Sequence, residues 1–203
     1  MSAEQPHPDT ELRARLAKAE VAIIGCGGLG SNVAAMLLRS GVRTLTLVDF
    51  DTVAKDNLNR QLFFRDQIGM PKTEALADTL LRIDPEAELR LVDRCISSAD
   101  LVEVIGDADV IAEAVDGAPT KAMILEVCTR DLPDVPIITV SGLAGYDSAN
   151  LIVTEKLAVN LYVVGDLESD IRSGLSLLAS RVMVAAAHQA HAIIRVLLDC
   201  EDI

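Results

Sequence analysis

The chain has 203 residues, half of them hydrophobic, and a formal charge of −13 at pH 7. This length and hydrophobic content predict one α/β domain over residues 1–203 and exclude a disordered chain. The negative charge disfavours nucleic acid and anionic membrane as main partners, and short apolar runs with no signal core predict no membrane span and a cytoplasmic location.

Residues 1–20 are predicted to form a polar leader followed by a short helix. The helix is expected from Thr10 to Ala19, with Thr10 as the N-cap. Leu12 and Leu16 would lie on one face of this helix, and the remaining residues would face solvent.

A strand, a glycine loop, a helix, a second strand and an acid then follow in order. The strand is Val21–Ile24, the G-x-G-x-x-G loop is Gly25–Gly30, the helix is Ser31–Ser40, and a second strand, Thr44–Val48, ends at Asp49. This order is typical of α/β units that bind nucleotides.

Each part of this unit has a physical role. Gly25 allows a tight turn, Gly27 lets a phosphate approach the backbone, and Gly28 and Gly30 complete a loop that packs closely on the strand. The helix N-terminus attracts an anion, and the Asp49 carboxylate can accept hydrogen bonds from ribose hydroxyls. The alternative is a tight turn without a ligand, and the motif by itself does not select NAD, FAD or ATP.

The polar segment after Asp49 supplies further groups that suit phosphate. The Arg60 guanidinium matches phosphate oxygens, while Asn57 and Gln61 donate or accept hydrogen bonds without adding charge. Pro71 predicts a helix start, which places Lys72 at that helix N-terminus. Taken singly, Arg60 and Lys72 would be surface cations; together, after this glycine loop, they indicate a triphosphate rather than a dinucleotide.

The second half of the chain continues the alternation of strands and helices and then departs from it. The predicted elements are strands Leu89–Val92, Val110–Val115 and Val135–Val140, helices Ala99–Ile105 and Pro119–Arg130, short strands Leu151–Val153 and Asn160–Val164, and a long helix Leu175–Leu198. The fold class is therefore α/β and Rossmann-like, with a mostly parallel sheet, helices on both faces and an antiparallel C-terminal extension.

An acid follows the strand Val110–Val115. Asp116 would point into the ligand crevice, where a carboxylate can hold Mg²⁺ bound to triphosphate oxygens. The alternative is that Asp116 caps the helix that follows it.

The spacing of the cysteines and of two histidines does not indicate a metal site or a redox centre. The cysteines are Cys26, Cys95, Cys128 and Cys200, and none forms a C-x-x-C pair, so we expect reduced thiols and no zinc. Cys26 is expected to fill the turn rather than to contact a nucleotide. His188 and His191 lie three residues apart without a third ligand and are expected to be structural or interfacial.

These motifs resemble one known family. The strings GCGGLGS, GVRTLTLVDFDTV, NLNRQ and IGMPK, with a later Asp-Gly after an apolar strand, are similar to the ThiF/MoeB/HesA adenylyltransferases, bacterial relatives of ubiquitin-activating enzymes. The resemblance covers most of the chain, and its tail is closest to the compact ThiF type.

The resemblance implies an enzyme that uses ATP and Mg²⁺. ATP would lie over Gly25–Gly30, with further binding groups on the acids and polar residues that follow, namely Asp49, Asp51, Asn57, Arg60, Gln61 and Lys72. Arg60, Lys72 and Asp116 would be catalytic, with Asp116 as the metal ligand. The partner would be a ubiquitin-like sulfur carrier ending in Gly-Gly, ThiS-like and most simply serving thiamine thiazole synthesis, and the enzyme would be a homodimer.

Three departures and several alternatives accompany the resemblance. The zinc-binding cysteine pairs of the family are absent, and the loop Asp147–Gly174 has no cysteine, so activation is expected to stop at the adenylate. The N-terminal arginine motif is not obvious, although Arg13 or Arg15 could replace it. The carrier could instead serve molybdopterin or cysteine synthesis, and a tRNA-activating relative, an NAD-dependent dehydrogenase and a non-catalytic nucleotide-binding module also remain open.

Overall fold

A computed structural model of the chain describes residues 8–170 and 174–200. Its strands are β1 (Glu20–Ile24), β2 (Thr44–Asp49), β3 (Glu88–Asp93), β4 (Val110–Glu113), β5 (Ile137–Val140), β6 (Val153–Ala158) and β7 (Leu161–Gly165). Its α-helices are α1 (Pro8–Leu16), α2 (Gly30–Ser40), α3 (Lys72–Leu81), α4 (Leu101–Ile105), α5 (Ala118–Asp131) and α6 (Ala179–Leu197).

The strands form one seven-stranded sheet in the order β3-β2-β1-β4-β5-β7-β6. All neighbours are parallel except β6 and β7, which are antiparallel. The predicted mostly parallel Rossmann-like sheet is therefore confirmed. The predicted antiparallel C-terminal extension is confirmed as the pair of β6 and β7. The chain first reaches the outer edge of the sheet as β6 and then turns back as β7, which lies parallel to β5.

Helices cover both faces of the sheet, as predicted. Along β1, Val21 and Ile23 join a core with α2, α3 and α6, whereas Ala22 and Ile24 join a second core with α4 and α5. Because successive side chains of a strand point to opposite faces, a strand covered on both sides has to be apolar at every position.

The predicted start of the first helix is wrong by two residues. Helix α1 begins at Pro8 rather than at Thr10, because proline suits the first helical turn. Leu16 is buried, but Leu12 is 41 % exposed. Residues 1–7 of the predicted leader lie outside the described residues.

In the C-terminal part of the chain, one local and one longer-range hydrogen bond accompany two displaced element boundaries. Ser148 accepts a hydrogen bond from the Asn150 amide, so residues 149–151 form a 3₁₀ turn and β6 begins only at Val153. The Gly145 amide donates to the Ser176 carbonyl at 2.9 Å, which keeps the chain extended until α6 begins at Ala179.

None of the helices among the described residues combines the length and the apolar character that crossing a membrane requires.

Candidate functional site

The candidate site lies where the strand order reverses, between the carboxyl ends of β1 and β4. In open α/β sheets ligands bind at this switch point. Gly25 follows β1 with φ of +99°, and its amide donates to the Val48 carbonyl at 2.8 Å. A Cβ at Gly25 would lie 2.7 Å from the carbonyl oxygen of Ala114, just beyond β4. The first glycine therefore lets the loop and the end of β4 touch.

Gly30 begins α2 in equally close contact. A Cβ there would overlap the Gly25 carbonyl oxygen and lie 3.0 Å from Ile23 Cγ2. The Ser31 amide donates to the Gly27 carbonyl at 3.1 Å. Backbone amides that precede such a bond have no helical acceptor, so the start of α2 can bind an anion.

Gly27 lies on the open side of the loop. A Cβ at Gly27 would meet only Gln61 Nε2, at 3.8 Å. Gln61 Oε1 is buried and has no hydrogen-bond partner among residues 8–170 and 174–200. A buried acceptor beside an open glycine backbone fits a polar ligand, and ATP carries hydroxyl and amino donors as well as phosphates.

Arg60 and Val182 flank the loop beside Gly28. A Cβ at Gly28 would lie 3.2 Å from Val182 Cγ1 and 3.4 Å from Arg60 Cγ. The Arg60 guanidinium donates to Asn59 Oδ1 at 2.7 Å and to the Asp56 carbonyl at 3.3 Å. The stem of Arg60 thus contacts the glycine loop, while its head belongs to the turn that precedes it.

Asn57 shapes that same turn. Its side-chain oxygen accepts a hydrogen bond from the Ala54 amide at 2.9 Å, and its carbonyl accepts one from the Gln61 amide at 2.9 Å. The structure therefore places Asn57 as a local support for Arg60 and Gln61.

Two residues that join the loop to the 60–62 segment were missed by the sequence reasoning. Ser31 Oγ accepts from the Leu62 amide at 3.1 Å. Asn32 Nδ2 donates to the Gly28 carbonyl at 2.7 Å and to the Arg60 carbonyl at 3.1 Å. The available signal was two polar residues at the start of a helix that is otherwise apolar.

The Asp49 carboxylate is almost buried and binds the glycine loop through backbone amides. One oxygen accepts from the Cys26 amide at 2.7 Å, and the other accepts from the amides of Phe50 and Asp51 at 2.8 and 2.9 Å. Asp49 is therefore locked in position at the end of β2.

Lys72 lies beside Asp49 at the first position of α3, and it is 6 % exposed. Its ammonium donates to Asp51 Oδ2 at 2.7 Å and lies 4.0 Å from Asp49 Oδ2. A buried ammonium needs such partners. Asp51 is exposed at its side chain, so this ion pair borders solvent next to the glycine loop.

Asp116 is exposed two residues beyond Ala114, and therefore close to Gly25. The alternative that Asp116 caps α5 is wrong, because the N-cap is Gly117 and no side chain makes a capping bond. Gln61 and the stem of Arg60 thus lie against the glycine loop, and Asp49 binds it through the Cys26 amide. Asp116 follows Ala114, which lies next to Gly25.

A buried polar cluster behind Asp116 was also missed. Glu113 is fully buried at the end of β4, where one carboxylate oxygen accepts from Lys121 Nζ and Thr139 Oγ1. The other oxygen accepts from the Val115 amide at 2.9 Å. Its signal was a single acid inside the run Val110–Val115, which we read as plain strand.

Cys26 and Cys128 lack the surroundings of reactive thiols. Cys26 is buried with Sγ 3.8 Å from the Val48 carbonyl oxygen, which agrees with a turn-filling role. Burial, and then Asp49, raises the pKa of the Cys26 thiol well above its ordinary value. Burial, and then Glu113, raises the pKa of Cys128 to about 11.

The two histidines and the N-terminal arginines lie away from the loop. His188 Nδ1 is 3.1 Å from Thr154 Oγ1, between α6 and β6. Among the residues that the structure describes, no three His, Cys, Asp or Glu side chains are grouped for a metal ion. Arg15 forms an ion pair with Asp199, while Arg13 is exposed.

The fold, with a glycine loop at its switch point, defines an α/β protein of the Rossmann type. The sequence profile of the ThiF family matches residues 5–203, and the chain belongs to that family.

Two relatives illustrate the range of the family. The chain is 36 % identical over 134 residues to a tRNA threonylcarbamoyladenosine dehydratase of Haemophilus influenzae, covering 65 % of this chain and 51 % of the relative. It is 35 % identical over 114 residues to the molybdopterin-synthase adenylyltransferase of Escherichia coli, covering 56 % and 46 %. It thus spans about half the length of these curated relatives.

Among solved structures, the E. coli tRNA N6-threonylcarbamoyladenosine dehydratase in complex with ATP aligns with a TM-score of 0.84 and 22 % identity. The alignment covers 93 % of this chain and 89 % of that one. This likeness establishes the shared fold.

Proposed function

We propose that the protein is an ATP-dependent adenylyltransferase that activates the C-terminal Gly-Gly carboxylate of a ubiquitin-like sulfur carrier. The carrier is ThiS-like and serves thiamine thiazole synthesis. The observation that supports this most strongly is convergence on one loop: Asp49 binds the Cys26 amide, Gln61 lies beside Gly27, and Arg60 beside Gly28.

In this proposal the triphosphate binds the amides of Gly27, Gly28 and Gly30 at the start of α2. The remaining lone pair of Asp49 accepts from the ribose, and Gln61 Oε1 accepts from the nucleotide. Lys72 and Arg60 neutralise phosphate charge, and Lys72 exchanges part of its contact with Asp51 for a phosphate oxygen.

Asp116 would hold Mg²⁺, which neutralises the triphosphate and stabilises the leaving pyrophosphate. The chain offers a suitable donor here, because the Asp116 carboxylate is exposed beside the loop and is not engaged as a helix cap.

The reaction needs no enzyme nucleophile. A carboxylate oxygen of the carrier bonds to the α-phosphorus, the bond from the α-phosphorus to the bridging oxygen breaks, and pyrophosphate leaves with that electron pair. The carboxylate is already ionised, so no proton has to move. The protein contributes alignment and preorganised positive charge.

Activation ends at the acyl-adenylate in this account. The loop 147–174 contains no cysteine, and the thiols of Cys26 and Cys128 are buried with raised pKa values. Sulfur would then be delivered by a separate donor. We also propose a homodimer, in which Arg13 is better placed than Arg15 to reach a partner, since Arg15 pairs with Asp199.

A second function is favoured by the 36 % identity to a tRNA threonylcarbamoyladenosine dehydratase. The same site could activate a carboxylate on a tRNA nucleoside. The net charge of −13 opposes docking to a polyanion, so the carrier is our first choice.

ATP–pyrophosphate exchange tests the proposal. Exchange should require Mg²⁺ and a ThiS-like carrier ending in Gly-Gly, and a carrier with an amidated C-terminus should give none. Exchange only with a carrier of the molybdopterin or cysteine pathway would support the same reaction but assign the protein to that pathway instead. Stimulation only by tRNA would favour the second function, and absence of ATP binding would overturn both.

A further inference from the structure

We propose that Glu113 is a positioning residue for Asp116, with its carboxylate held in place by Lys121 and Thr139. This inference rests on the proposed function, because it assigns a support to the magnesium ligand of that site.

The cluster is built around a charge that is costly to bury. The Glu113 side chain is completely buried, and burying a carboxylate is unfavourable unless donors surround it. Three donors do so here: Lys121 on α5, Thr139 on β5 and the Val115 amide. Lys121 Nζ also lies 3.3 Å from Thr139 Oγ1, so each donor orients the other.

Further contacts fix the same strand end from two other sides. Gln189 of α6 donates to the carbonyls of Glu113 and Ile138 at 2.9 and 2.8 Å. The Ala114 amide donates to the Ile24 carbonyl at 2.8 Å, next to Gly25. Elements α5, β5, α6 and β1 therefore all meet at the last residues of β4.

The Glu113 carboxylate acts on Asp116 indirectly, through one hydrogen bond to the backbone of the preceding residue. Glu113 accepts from the Val115 amide, and Val115 immediately precedes Asp116. This bond closes a turn from the strand end back onto its own backbone, so it determines the direction in which the chain leaves β4. A ligand side chain has to be held to within a fraction of an ångström, and supporting hydrogen bonds supply that precision.

A stabilising role alone does not account for the cluster. Apolar residues of similar volume often stabilise a fold as well as a buried ion pair does. An apolar residue at position 113 could not accept the Val115 hydrogen bond. Both carboxylate oxygens are needed as acceptors, because one accepts from Val115 and the other from Lys121 and Thr139. A Gln side chain has one acceptor oxygen, so it can serve only one of these two sides.

The test is the magnesium linkage of ATP binding, defined as the ATP dissociation constant in EDTA divided by that in excess Mg²⁺. Calorimetry gives both constants without any carrier. Asp116→Asn should lower this ratio. Glu113→Gln should lower it by about tenfold, while the constant in EDTA changes by less than about threefold.

Thr139 provides a milder, uncharged test of the same bond network. Thr139→Val removes the hydroxyl at nearly constant volume and should lower the magnesium ratio. Thr139→Ser keeps the hydroxyl and should restore the ratio even where it lowers the unfolding temperature. If Glu113→Gln fails to fold, this pair decides the question.

Non-additivity separates positioning from general damage. With Asp116→Asn already present, Thr139→Val or Glu113→Gln should lower the ratio no further. The inference would be overturned if Glu113→Gln or Thr139→Val weakened ATP binding equally with and without Mg²⁺. It would also be overturned if their effects on the magnesium ratio added to that of Asp116→Asn. Neither result would affect the proposed function. A wild-type protein that binds no ATP would overturn both.

Discussion

Asp49 accepts hydrogen bonds from three backbone amides and so gives the glycine loop its shape. An ionised carboxylate has about four acceptor positions, so one is left for a ribose hydroxyl. In the proposed site, the structural and the binding roles of Asp49 would use different lone pairs of the same carboxylate.

Replacing Asp116 should abolish most of the activity without destabilising the fold. Asp116→Ala should lower pyrophosphate exchange by at least about 100-fold, because Mg²⁺ would lose its carboxylate ligand. The side chain is exposed and caps no helix, so the unfolding temperature should stay within a few degrees of wild type. Asp134→Ala, an exposed acid at the opposite end of β5, is the control. Undiminished exchange in Asp116→Ala would remove Asp116 from the metal role.

The thiols should differ sharply in reactivity. With a pKa of about 11, Cys128 is only about 0.1 % thiolate at pH 8, and burial also raises the pKa of Cys26. In the native protein a thiol reagent should therefore modify the exposed Cys95 quickly and these two slowly, with the Cys128 rate rising as the pH is raised.

Cys128→Ser and Cys200→Ser should also retain exchange, since no thiol takes part in adenylate formation. A selective loss in either variant would show that thiol chemistry contributes.

At the scale of elements, the positions of the glycine loop should differ in how well they tolerate substitution by alanine. Gly27→Ala should fold with a stability change below about 1 kcal/mol, because the new methyl meets only Gln61 Nε2 at 3.8 Å. It should still weaken ATP binding at least about tenfold, because the methyl blocks phosphate approach.

Gly30→Ala is the matched contrast within the same loop. Because its methyl would overlap the Gly25 carbonyl, the free energy of unfolding should fall by about 3 kcal/mol. Denaturant titration and calorimetry of both variants check the pair. Normal ATP binding by Gly27→Ala would contradict phosphate binding at this loop.

A second element-level feature is the clasp between the loop after β7 and α6. Burial raises the pKa of Asp166, but hydrogen bonds from the Ser169 and Glu168 amides and from Arg181 outweigh it and lower the pKa to about 2. Arg181 also donates to the Ser148 carbonyl at 3.0 Å. The clasp therefore ties three segments together.

Because the folded pKa of Asp166 is depressed, its contribution is present above the unfolded value near 3.9 and is lost as pH falls towards 2. Asp166→Asn should lower the unfolding free energy at pH 7 by at least about 2 kcal/mol. The difference from wild type should shrink between pH 4 and 3 in urea titrations. A difference that does not change with pH would contradict the ionised clasp.

Sequence patterns predicted the regular elements well where a single signal dominated. Runs such as Val21–Ile24, flanked by the glycine loop, gave both the strand and its burial on two faces. They failed at Ser148, where a short-range hydrogen bond forms a turn. They also failed at Gly145, which bonds to Ser176, and at Glu113, whose partners come from three other elements. No local pattern reports a contact made across 76 residues, such as that between Glu113 and Gln189.

At the scale of the whole molecule, the sheet order puts the two halves of the site together. Residues from Gly25 to Lys72 lie on one side of the switch point, and Glu113 to Lys121 lie on the other. The close approach of Gly25 to Ala114 and Val115 joins them at the switch point. The strongly acidic surface then favours a protein carrier over a nucleic acid.

Transfer of label from ATP carrying a radioactive α-phosphate tests the central claim most directly. The account predicts Mg²⁺-dependent labelling of a Gly-Gly-ended carrier as an adenylate that hydroxylamine removes, and no labelling of the same carrier with a blocked C-terminus. Label that appears on tRNA instead, or on no acceptor while ATP is bound, would contradict it.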